Sequence, residues 1–332
     1  MSKGRIVRQF WITAPGRAEI VQAELPPQQT DDVLVRTVYS AISRGTESLV
    51  LAGEVPPSQY EAMRAPFQEG EFPAPVKYGY TSVGRVEKGP DAPPHELTGR
   101  LVFCLYPHQD LYLVPAAAVT PIPDAVPAGR AVLAANMETA VNVLWDARPS
   151  TGDRIVVIGG GVIGMLVAWL CRQIPGARVT VVDPNPMREP IAGELGVAFR
   201  TEPPRDENVD LVVHASGQPE GLTSALTIAG MEGTIVDASW YGIRRVTLPL
   251  GEAFHSRRLT LKSSQVGRVP ADRSSRWDRG RRMALALDLL TDCRLDALIT
   301  GESAFDDLPA VLAAVSRSPG ATLCHRIRYS TA

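Results

Sequence analysis

Ile155-Val156-Val157-Ile158-Gly159-Gly160-Gly161-Val162-Ile163-Gly164 is the stretch on which the reading of this chain turns. A run of β-branched residues reads as a strand buried on both faces, and the apolar segment from Gly164 to Gln173 reads as a buried helix. Between them, Gly159, Gly161 and Gly164 fit G-x-G-x-x-G. The first glycine permits a tight turn, the second lets backbone approach a pyrophosphate, and the third lets helix and strand pack closely. The free N–H groups around Val162 and Ile163 then face the phosphates with the helix's partial positive charge. A glycine-rich turn without a ligand has the same local pattern, so context decides. Asp183 ends the next strand, nineteen positions beyond Gly164, where an acid accepts hydrogen bonds from an adenosine ribose. Strand, turn, helix, strand and acid in that order predict a dinucleotide site.

Asp183 also bears on which dinucleotide. Like charge against a 2′-phosphate costs about 1 to 4 kcal/mol at 4 Å, depending on the effective dielectric. NAD(H) is therefore favoured. Arg188, five positions later, could shield a phosphate and keeps NADP(H) open as the alternative.

Outward from the turn, strands alternate with helices. Val179 to Val182 is the next strand, with a helix near Met187 to Leu195. Leu211 to Val213, Thr234 to Val236 and Leu259 to Leu261 supply further short strands, and Ala131 to Ala147 a preceding helix. This alternation predicts an α/β fold with a doubly wound parallel sheet. Upstream the texture differs. Val33 to Tyr39, Gly79 to Glu87 and Leu101 to Leu105 read as strands, punctuated by turns such as Pro56-Pro57. That half reads as an irregular, mostly antiparallel β domain. Near the end, Met283 to Leu290 carries a helical apolar stripe, and Asp306 or Asp307 can cap a last helix through about Val315, with Pro309 in its first turn.

The chain has 332 residues, 45% hydrophobic and 21% charged, the balance of a globular protein with room for two cores. A net charge of -2 argues against a nucleic-acid partner, because phosphate affinity needs many neutralising cations. Arg268, Arg273, Arg276, Arg279, Arg281 and Arg282 crowd one stretch with Asp272 and Asp278. They read as a solvated helix face and its lead-in loop, with an anion site as the alternative. Cys104, Cys171, Cys293 and Cys324 are scattered, without a C-x-x-C pair, and Met1 to Arg17 has no sustained apolar run. Free thiols in a cytoplasmic protein are the expectation. The longest apolar stretch, Val162 to Cys171, is too short to span a bilayer, so no membrane partner is expected.

A glycine turn placed behind a complete β domain resembles the medium-chain dehydrogenase/reductase superfamily of zinc-type alcohol, sorbitol and threonine dehydrogenases. Ser40-Ala41-Ile42-Ser43-Arg44-Gly45-Thr46-Glu47 matches its segment around the first zinc ligand, and Gly79-Tyr80-Thr81-Ser82-Val83-Gly84 its G-H-E-x-x-G segment. Thr151-Gly152-Asp153-Arg154 leads into the glycine turn in the family manner, and Asp210-Leu211-Val212-Val213-His214-Ala215-Ser216-Gly217 looks like the strand-loop over the adenosine side, with Ser216 at the cofactor. The resemblance implies a GroES-like catalytic domain at 1–124, re-entered by 292–332, a Rossmann domain at 125–291, an active site in the cleft between them, and a homodimer. A subgroup that includes bacteriochlorophyllide a dehydrogenases is similar through Ser43-Arg44-Gly45-Thr46-Glu47, Pro107-His108-Gln109, Asn136-Met137-Glu138-Thr139-Ala140 and Arg276-Trp277. No chlorophyll substrate is carried over.

The family's metal ligands are largely missing. A catalytic zinc takes about three protein ligands from Cys, His, Asp or Glu. The first position holds Ser43 or Arg44, the second Tyr80 followed by Thr81, and only Glu138 keeps a ligand type. No zinc is expected, with His108, Glu138 and Glu47 as an improvised site the alternative. Another donor must then stabilise the oxygen charge that hydride addition builds. Tyr80 is one candidate. In a strand, Tyr78 would share its face, and Arg44 could lower a phenol pKa that otherwise lies near 10; an aromatic wall is the other reading. His108 follows a strand at a turn and titrates in a suitable range, although a lone histidine is often structural. Ser43 and Thr46 fit a proton relay or local backbone bonding. Glu138 could orient a substrate hydroxyl or water, and Glu47 lies in the expected pocket. The resemblance places Thr139 near the nicotinamide. Trp240 and Tyr241 follow the fifth Rossmann strand, where they line a pocket or simply pack. The expectation is an NAD(P)-dependent oxidoreductase of a small secondary alcohol or ketone, such as a polyol, amino sugar or other biosynthetic intermediate. An enoyl or quinone reductase and a non-catalytic dinucleotide-binding protein are the rivals.

Overall fold

The computed structural model describes residues 5–90, 97–204, 208–318, 320 and 322–330. In chain order it opens with β1 (Ile6–Ala14), β2 (Arg17–Glu24), β3 (Asp32–Ile42), α1 (Arg44–Ala52), β4 (Glu69–Gly70), β5 (Val76–Lys77) and β6 (Ser82–Lys88). β7 (Leu101–Cys104), β8 (Leu111–Pro115), β9 (Val119–Pro121) and α2 (Ala128–Ala131) follow. Next come α3 (Ala134–Ala147), β10 (Arg154–Ile158), α4 (Val162–Arg172), β11 (Arg178–Val182), α5 (Glu189–Glu194), β12 (Ala198–Arg200), β13 (Val209–His214), α6 (Pro219–Ile228), β14 (Ala229–Asp237), β15 (Thr260–Ser263) and α7 (Arg279–Leu289). β16 (Ile299–Ala304), α8 (Leu308–Arg317) and β17 (Cys324–Arg328) close the described chain.

Two compact units result. The first takes the described residues up to Ala135, Leu287–Thr291, and those from Ile299 on; the second takes Asn136–Ala286 and Asp292–Leu298. The first boundary therefore falls after Ala135 rather than after residue 124, because α2 packs on β3. The re-entry is also split: it begins at Leu287–Thr291, ahead of residue 292, and resumes only at Ile299, since Asp292–Leu298 belongs to the second unit.

In the first unit, β3 is the organising strand. It pairs antiparallel with β6, β8 and β17 in a sheet whose order is β16-β17-β3-β6-β7-β9. Val33, Val35, Val86, Val102, Tyr112 and Val114 share its buried core, the kind of β-branched and aromatic set that fits a pleated, half-covered surface. A second sheet runs β2-β1-β5-β4.

The second unit is a six-stranded parallel sheet in the order β12-β11-β10-β13-β14-β15. That is the doubly wound order, with the chain reversing direction of travel at β10. Ile155, Val156, Val157 and Ile158 are all buried, as a strand covered on both faces requires. The register aligns the carboxyl ends. Ile158 pairs with Val182 and with His214, His214 with Asp237, and Asp237 with Ser263. In open α/β sheets ligands bind at this edge, next to the reversal point.

Three expectations need correction. The strand expected from Gly79 begins only at Ser82, since Gly79 has φ +124 and breaks the extended run. The helix expected over Ala131 to Ala147 is broken into α2 and α3, where Leu133 N–H bonds the carbonyl of Arg130 and tightens the turn. Asp307 does hold the N-cap position of α8, with Pro309 in the first turn, but its side chain makes no capping bond.

Candidate active site

The glycine turn has the backbone that the pattern demands. Gly159 has φ +109, and a Cβ there would lie 2.6 Å from the Ser216 nitrogen. A Cβ on Gly164 would lie 1.9 Å from the Gly159 carbonyl oxygen, so only glycine lets α4 sit so close to β10. Gly161, the N-cap of α4, is different. Its Cβ would meet nothing within 4 Å, and no side chain caps the helix. The first amides of α4, including those of Val162 and Ile163, thus have no capping partner, and the backbone before them is open to a close approach.

Asp183 follows β11 directly. One carboxylate oxygen accepts the Gly160 N–H at 2.7 Å and the other the Asn185 N–H at 2.9 Å. A carboxylate has about four lone-pair sites, so Asp183 is fixed in orientation and can still accept from ligand hydroxyls. Arg188 departs from its expected role. It lies in a short 3-10 turn and is 4% exposed, so it is not a solvent-facing shield for a phosphate.

Ser216 packs its backbone on Gly159, but its hydroxyl turns inward, 2.7 Å from His214 Nε2, and accepts the Gln218 N–H at 3.1 Å. Tyr241 likewise turns inward. Its hydroxyl donates to Asp237 at 2.9 Å, and its ring stacks on that of His214. Burial and the Asp237 charge push the Tyr241 phenol above its ordinary range. Trp240 is half-buried beside it.

On α3, Glu138 is buried and ion-paired with Arg282 Nε at 3.0 Å. Arg282 also donates to Asn142 Oδ1 and, at 2.6 Å, to the Val266 carbonyl. Burial pushes the Glu138 carboxyl up, and the Arg282 charge only partly offsets it. Arg282 thus leaves the solvated face expected of its stretch and is 1% exposed. Its neighbours keep closer to expectation, although Arg281 and Arg273 lie over the rings of Trp277 and Trp145. Thr139 is half-buried on the same helix.

The first unit gathers the remaining candidates. Ser43 is the N-cap of α1, yet its hydroxyl makes no capping bond and instead accepts from the Tyr80 hydroxyl. Capping falls to Glu47, one of whose oxygens accepts the Ser43 N–H at 2.7 Å. Its other oxygen meets His108 Nε2 at 3.0 Å. His108 Nδ1 lies 2.7 Å from Ser40 Oγ, which lies 3.1 Å from the Tyr329 hydroxyl. With a carboxylate at Nε2, the network assigns the proton there and makes Nδ1 an acceptor. His108 is 1% exposed, with both nitrogens engaged. A Cβ at Gly79 would sit 2.7 Å from its ring, which is why the loop carries glycine there.

Tyr80 does not behave as an activated phenol. Burial pushes it up to about 12, the Glu47 charge adds to this, and hydrogen bonds with Ser43 and Thr46 only partly offset the rise. Arg44 opens α1 half-buried, and the net direction of the Tyr80 shift is upward, opposite to the lowering expected of a neighbouring cation. Tyr78 contacts Tyr80 edge to face at 6.1 Å, although both lie outside the strands.

These donors do not fit a zinc ion. Ser43 and Tyr80 bond each other, His108 is saturated, and Glu138 is held by a guanidinium. Among the described residues, no three His, Cys, Asp or Glu side chains group as a metal set. His108 and Glu47 meet as the alternative supposed, but Glu138 has its own partner in the second unit.

Several residues here escaped sequence reasoning: Arg282, Asn142, Ser40, Tyr329, His214 and Asp237. For Arg282 a signal existed. It precedes Met283, Ala286, Leu287 and Leu290, all buried, at helical spacing that puts it on their stripe. Ser40 and Tyr329 bond each other 289 residues apart, and although His214 and Asp237 have partners within four residues, Ser216 and Tyr241, no sequence pattern marks either pairing.

No family model matches the chain. A 2-dehydro-3-deoxy-L-galactonate 5-dehydrogenase of Pseudoalteromonas atlantica is 30% identical over 139 residues, 39% of this chain and 40% of its own. An uncharacterized zinc-type alcohol dehydrogenase-like protein of Haemophilus influenzae is 25% identical, over 64% of this chain and 61% of its own. A D-guloside 3-dehydrogenase of Escherichia coli is 24% identical, over 86% and 88%. The chain thus spans less than two thirds of the length of the first two. Among solved structures, an alcohol dehydrogenase of Escherichia coli CFT073 complexed with NADH superposes with TM-score 0.76 at 17% identity, covering 98% of this chain and 100% of that one. The 2R,3R-butanediol dehydrogenase of Bacillus subtilis gives 0.78 at 16%, over 97% and 99%. The fold is the medium-chain dehydrogenase fold, a GroES-like β-rich unit and a Rossmann unit in one chain.

Proposed function

We propose that this chain is an NAD(H)-dependent oxidoreductase of the medium-chain type that works on a secondary alcohol or its ketone without zinc. The observation that carries the reading is the glycine turn, with Gly161 open to close approach and Asp183 oriented beside it. Structural neighbours complexed with NADH and with NADP support a nicotinamide cofactor, Asp183 favours NAD(H) with NADP(H) as the alternative, and the dehydrogenase names of the relatives support the reaction. A polyol, an amino sugar or another biosynthetic intermediate is the proposed substrate class, in keeping with the galactonate and guloside names. The likeness to bacteriochlorophyllide a dehydrogenases through Asn136-Met137-Glu138-Thr139-Ala140 and Arg276-Trp277 belongs to this reading as a subgroup. So does a cytoplasmic homodimer.

When bound, NAD(H) supplies or accepts the hydride. The chain's own residues do the rest. The amides at the start of α4 would hold the pyrophosphate, and Asp183 would hold the adenosine ribose hydroxyls. Tyr80, protonated throughout the physiological range, acts with Ser43 and Thr46 as a hydroxyl donor to charge developing on the substrate oxygen. It is not a phenolate base. His108 is too deeply buried to touch substrate, so its part is to brace, through Glu47, the start of α1 that carries Ser43 and Thr46. Glu138 is anchored by Arg282 and serves as a fixed acceptor.

The test pairs metal analysis of the purified protein with turnover assays of secondary ketones and α,β-unsaturated carbonyls, using NADH and NADPH. Ketone reduction by NADH in metal-free protein is expected. Stoichiometric zinc would overturn the metal-free chemistry. Turnover of unsaturated carbonyls alone would move the protein to the enoyl or quinone reductases, and binding of neither nucleotide would end the reading.

A further inference from the structure

The carboxyl edge of the second sheet holds a polar cluster centred on His214 and Asp237, two residues to which no role has been given. His214, the last residue of β13, is fully buried, and its imidazole is ringed by polar partners. Nδ1 lies 2.9 Å from Asp237 Oδ1, and Nε2 lies 2.7 Å from Ser216 Oγ. Asp237 ends β14 and also accepts from the Tyr241 hydroxyl at 2.9 Å and the Ser239 N–H at 3.0 Å. A carboxylate at Nδ1 places the proton there, so Nε2 accepts from Ser216. Burial pushes the Asp237 carboxyl up, but the hydrogen bonds from His214 and Ser239 outweigh it and hold it below its ordinary range, which keeps it an acceptor.

Asp237, His214 and Ser216 have the order of an acyl-transfer triad, yet the serine is not presented for attack. Its Oγ also accepts the Gln218 N–H and lies against Gly221, where a Cβ would come within 2.6 Å. What the cluster does is fasten two loops. His214 reaches the turn after β13 through Nε2 and the turn after β14 through Nδ1. The same turns are joined directly, by Gly217 N–H to Ser239 Oγ at 3.1 Å and by Arg244 to the Gly217 carbonyl at 2.9 Å. The fastened turn bears on the glycine bend, since the Ser216 backbone packs where a Gly159 side chain would be.

We infer that His214 is a positioning residue that clamps the 215–218 and 238–244 loops into one preformed wall beside Gly159, and that nucleotide affinity depends on this clamp. The inference rests on the dinucleotide reading above. A wall already ordered before binding spares the ligand the cost of ordering it, so loss of the clamp weakens affinity even though His214 touches no ligand.

The experiment uses the full chain, with wild type, His214→Leu, the milder Ser216→Ala and Tyr241→Phe, and the combination of these two. Backbone hydrogen exchange without nucleotide comes first. His214→Leu should speed exchange in both loops together, and Ser216→Ala does the same to a smaller degree if His214→Leu does not fold. Faster exchange in one loop only, or in neither, overturns the clamp whatever the nucleotide does. NADH titration follows. Loss of a buried hydrogen-bond arm should raise the dissociation constant roughly tenfold for Ser216→Ala and for Tyr241→Phe. The double variant should be little weaker than either single one, because both act through the His214–Asp237 pair. Additive losses, or wild-type affinity in His214→Leu, would overturn the inference while leaving the cofactor reading intact. A wild type that binds no nucleotide would instead remove the cofactor reading and the affinity claim together.

Discussion

Glu47 and Glu138 are both buried carboxylates, one in each unit, and they have been given opposite kinds of partner. Glu138 meets the guanidinium of Arg282, which carries its charge at every accessible pH. Glu47 meets an imidazole, which can be charged or neutral, together with a backbone amide. The first pair is therefore a permanent ion pair that locks α3 to α7. The second is a hydrogen-bonded network, running from the Ser43 N–H through Glu47 and His108 to Ser40 and Tyr329, that contains no permanent cation. A site of the first kind can only hold still; one of the second kind can sit behind a surface that moves protons.

The largest expected effect tests the permanent pair. Arg282→Met strands the Glu138 carboxylate, and breaking a buried pair in this way costs about 3 to 5 kcal/mol, to be read as a lower thermal midpoint or urea midpoint. The pH dependence has a definite sign. The Glu138 carboxyl already lies above its ordinary range, and without Arg282 it rises further. The folded variant then binds a proton that the unfolded chain does not, so its stability falls as pH rises through that window. The deficit against wild type should be smaller near about pH 5 than near about pH 8. A deficit independent of pH would mean that packing, not charge, joins Arg282 to Glu138.

His108→Gln should cost less, about 1 to 3 kcal/mol, because an amide can keep one of the two hydrogen bonds. If its midpoint falls as far as that of Arg282→Met, the contrast between the two pairs fails. Asp183→Ala moves affinity rather than stability. It should weaken NADH relative to NADPH by about tenfold, a little over 1 kcal/mol and at the low end of the charge effect, and an unchanged ratio of dissociation constants would remove the argument for NAD(H). The smallest stability effect is expected for Tyr80→Phe, whose half-buried ring stays in place. Its turnover, however, should drop by about a hundredfold if the hydroxyl donates to substrate. In wild type no limb of the pH–rate profile should come from Tyr80 below about pH 10, since its phenol titrates near 12.

Legibility in the sequence followed locality. The second unit could be read because its constraint is steric and contiguous: Gly159 and Gly164 are glycines for reasons a few residues away, and Asp183 stands one helix later. The polar networks could not. His108 reaches Ser40, Ser40 reaches Tyr329 across most of the chain, and Arg282 reaches back to Glu138 and Asn142. No period or spacing records such pairings. The direction in which the Tyr80 phenol shifts is hidden for a related reason, since it depends on burial and on Glu47, neither visible in Gly79-Tyr80-Thr81. The boundary after Ala135 escaped because α2 reads as part of one long helix until its packing on β3 is seen.

β17 pairs with β3, matching Ile327 with Ser40 and Arg328 with Tyr39. The central strand of the first sheet thus waits for a neighbour roughly 290 residues downstream, and contacts of such separation form slowly. On a ribosome, β6 and β8 become available to β3 early, but its 39–42 end must persist without the β17 neighbour while the whole parallel sheet is being synthesised. The parallel-sheet unit can be complete before the unit that surrounds it in sequence, and it is β17 that completes the pairing of β3.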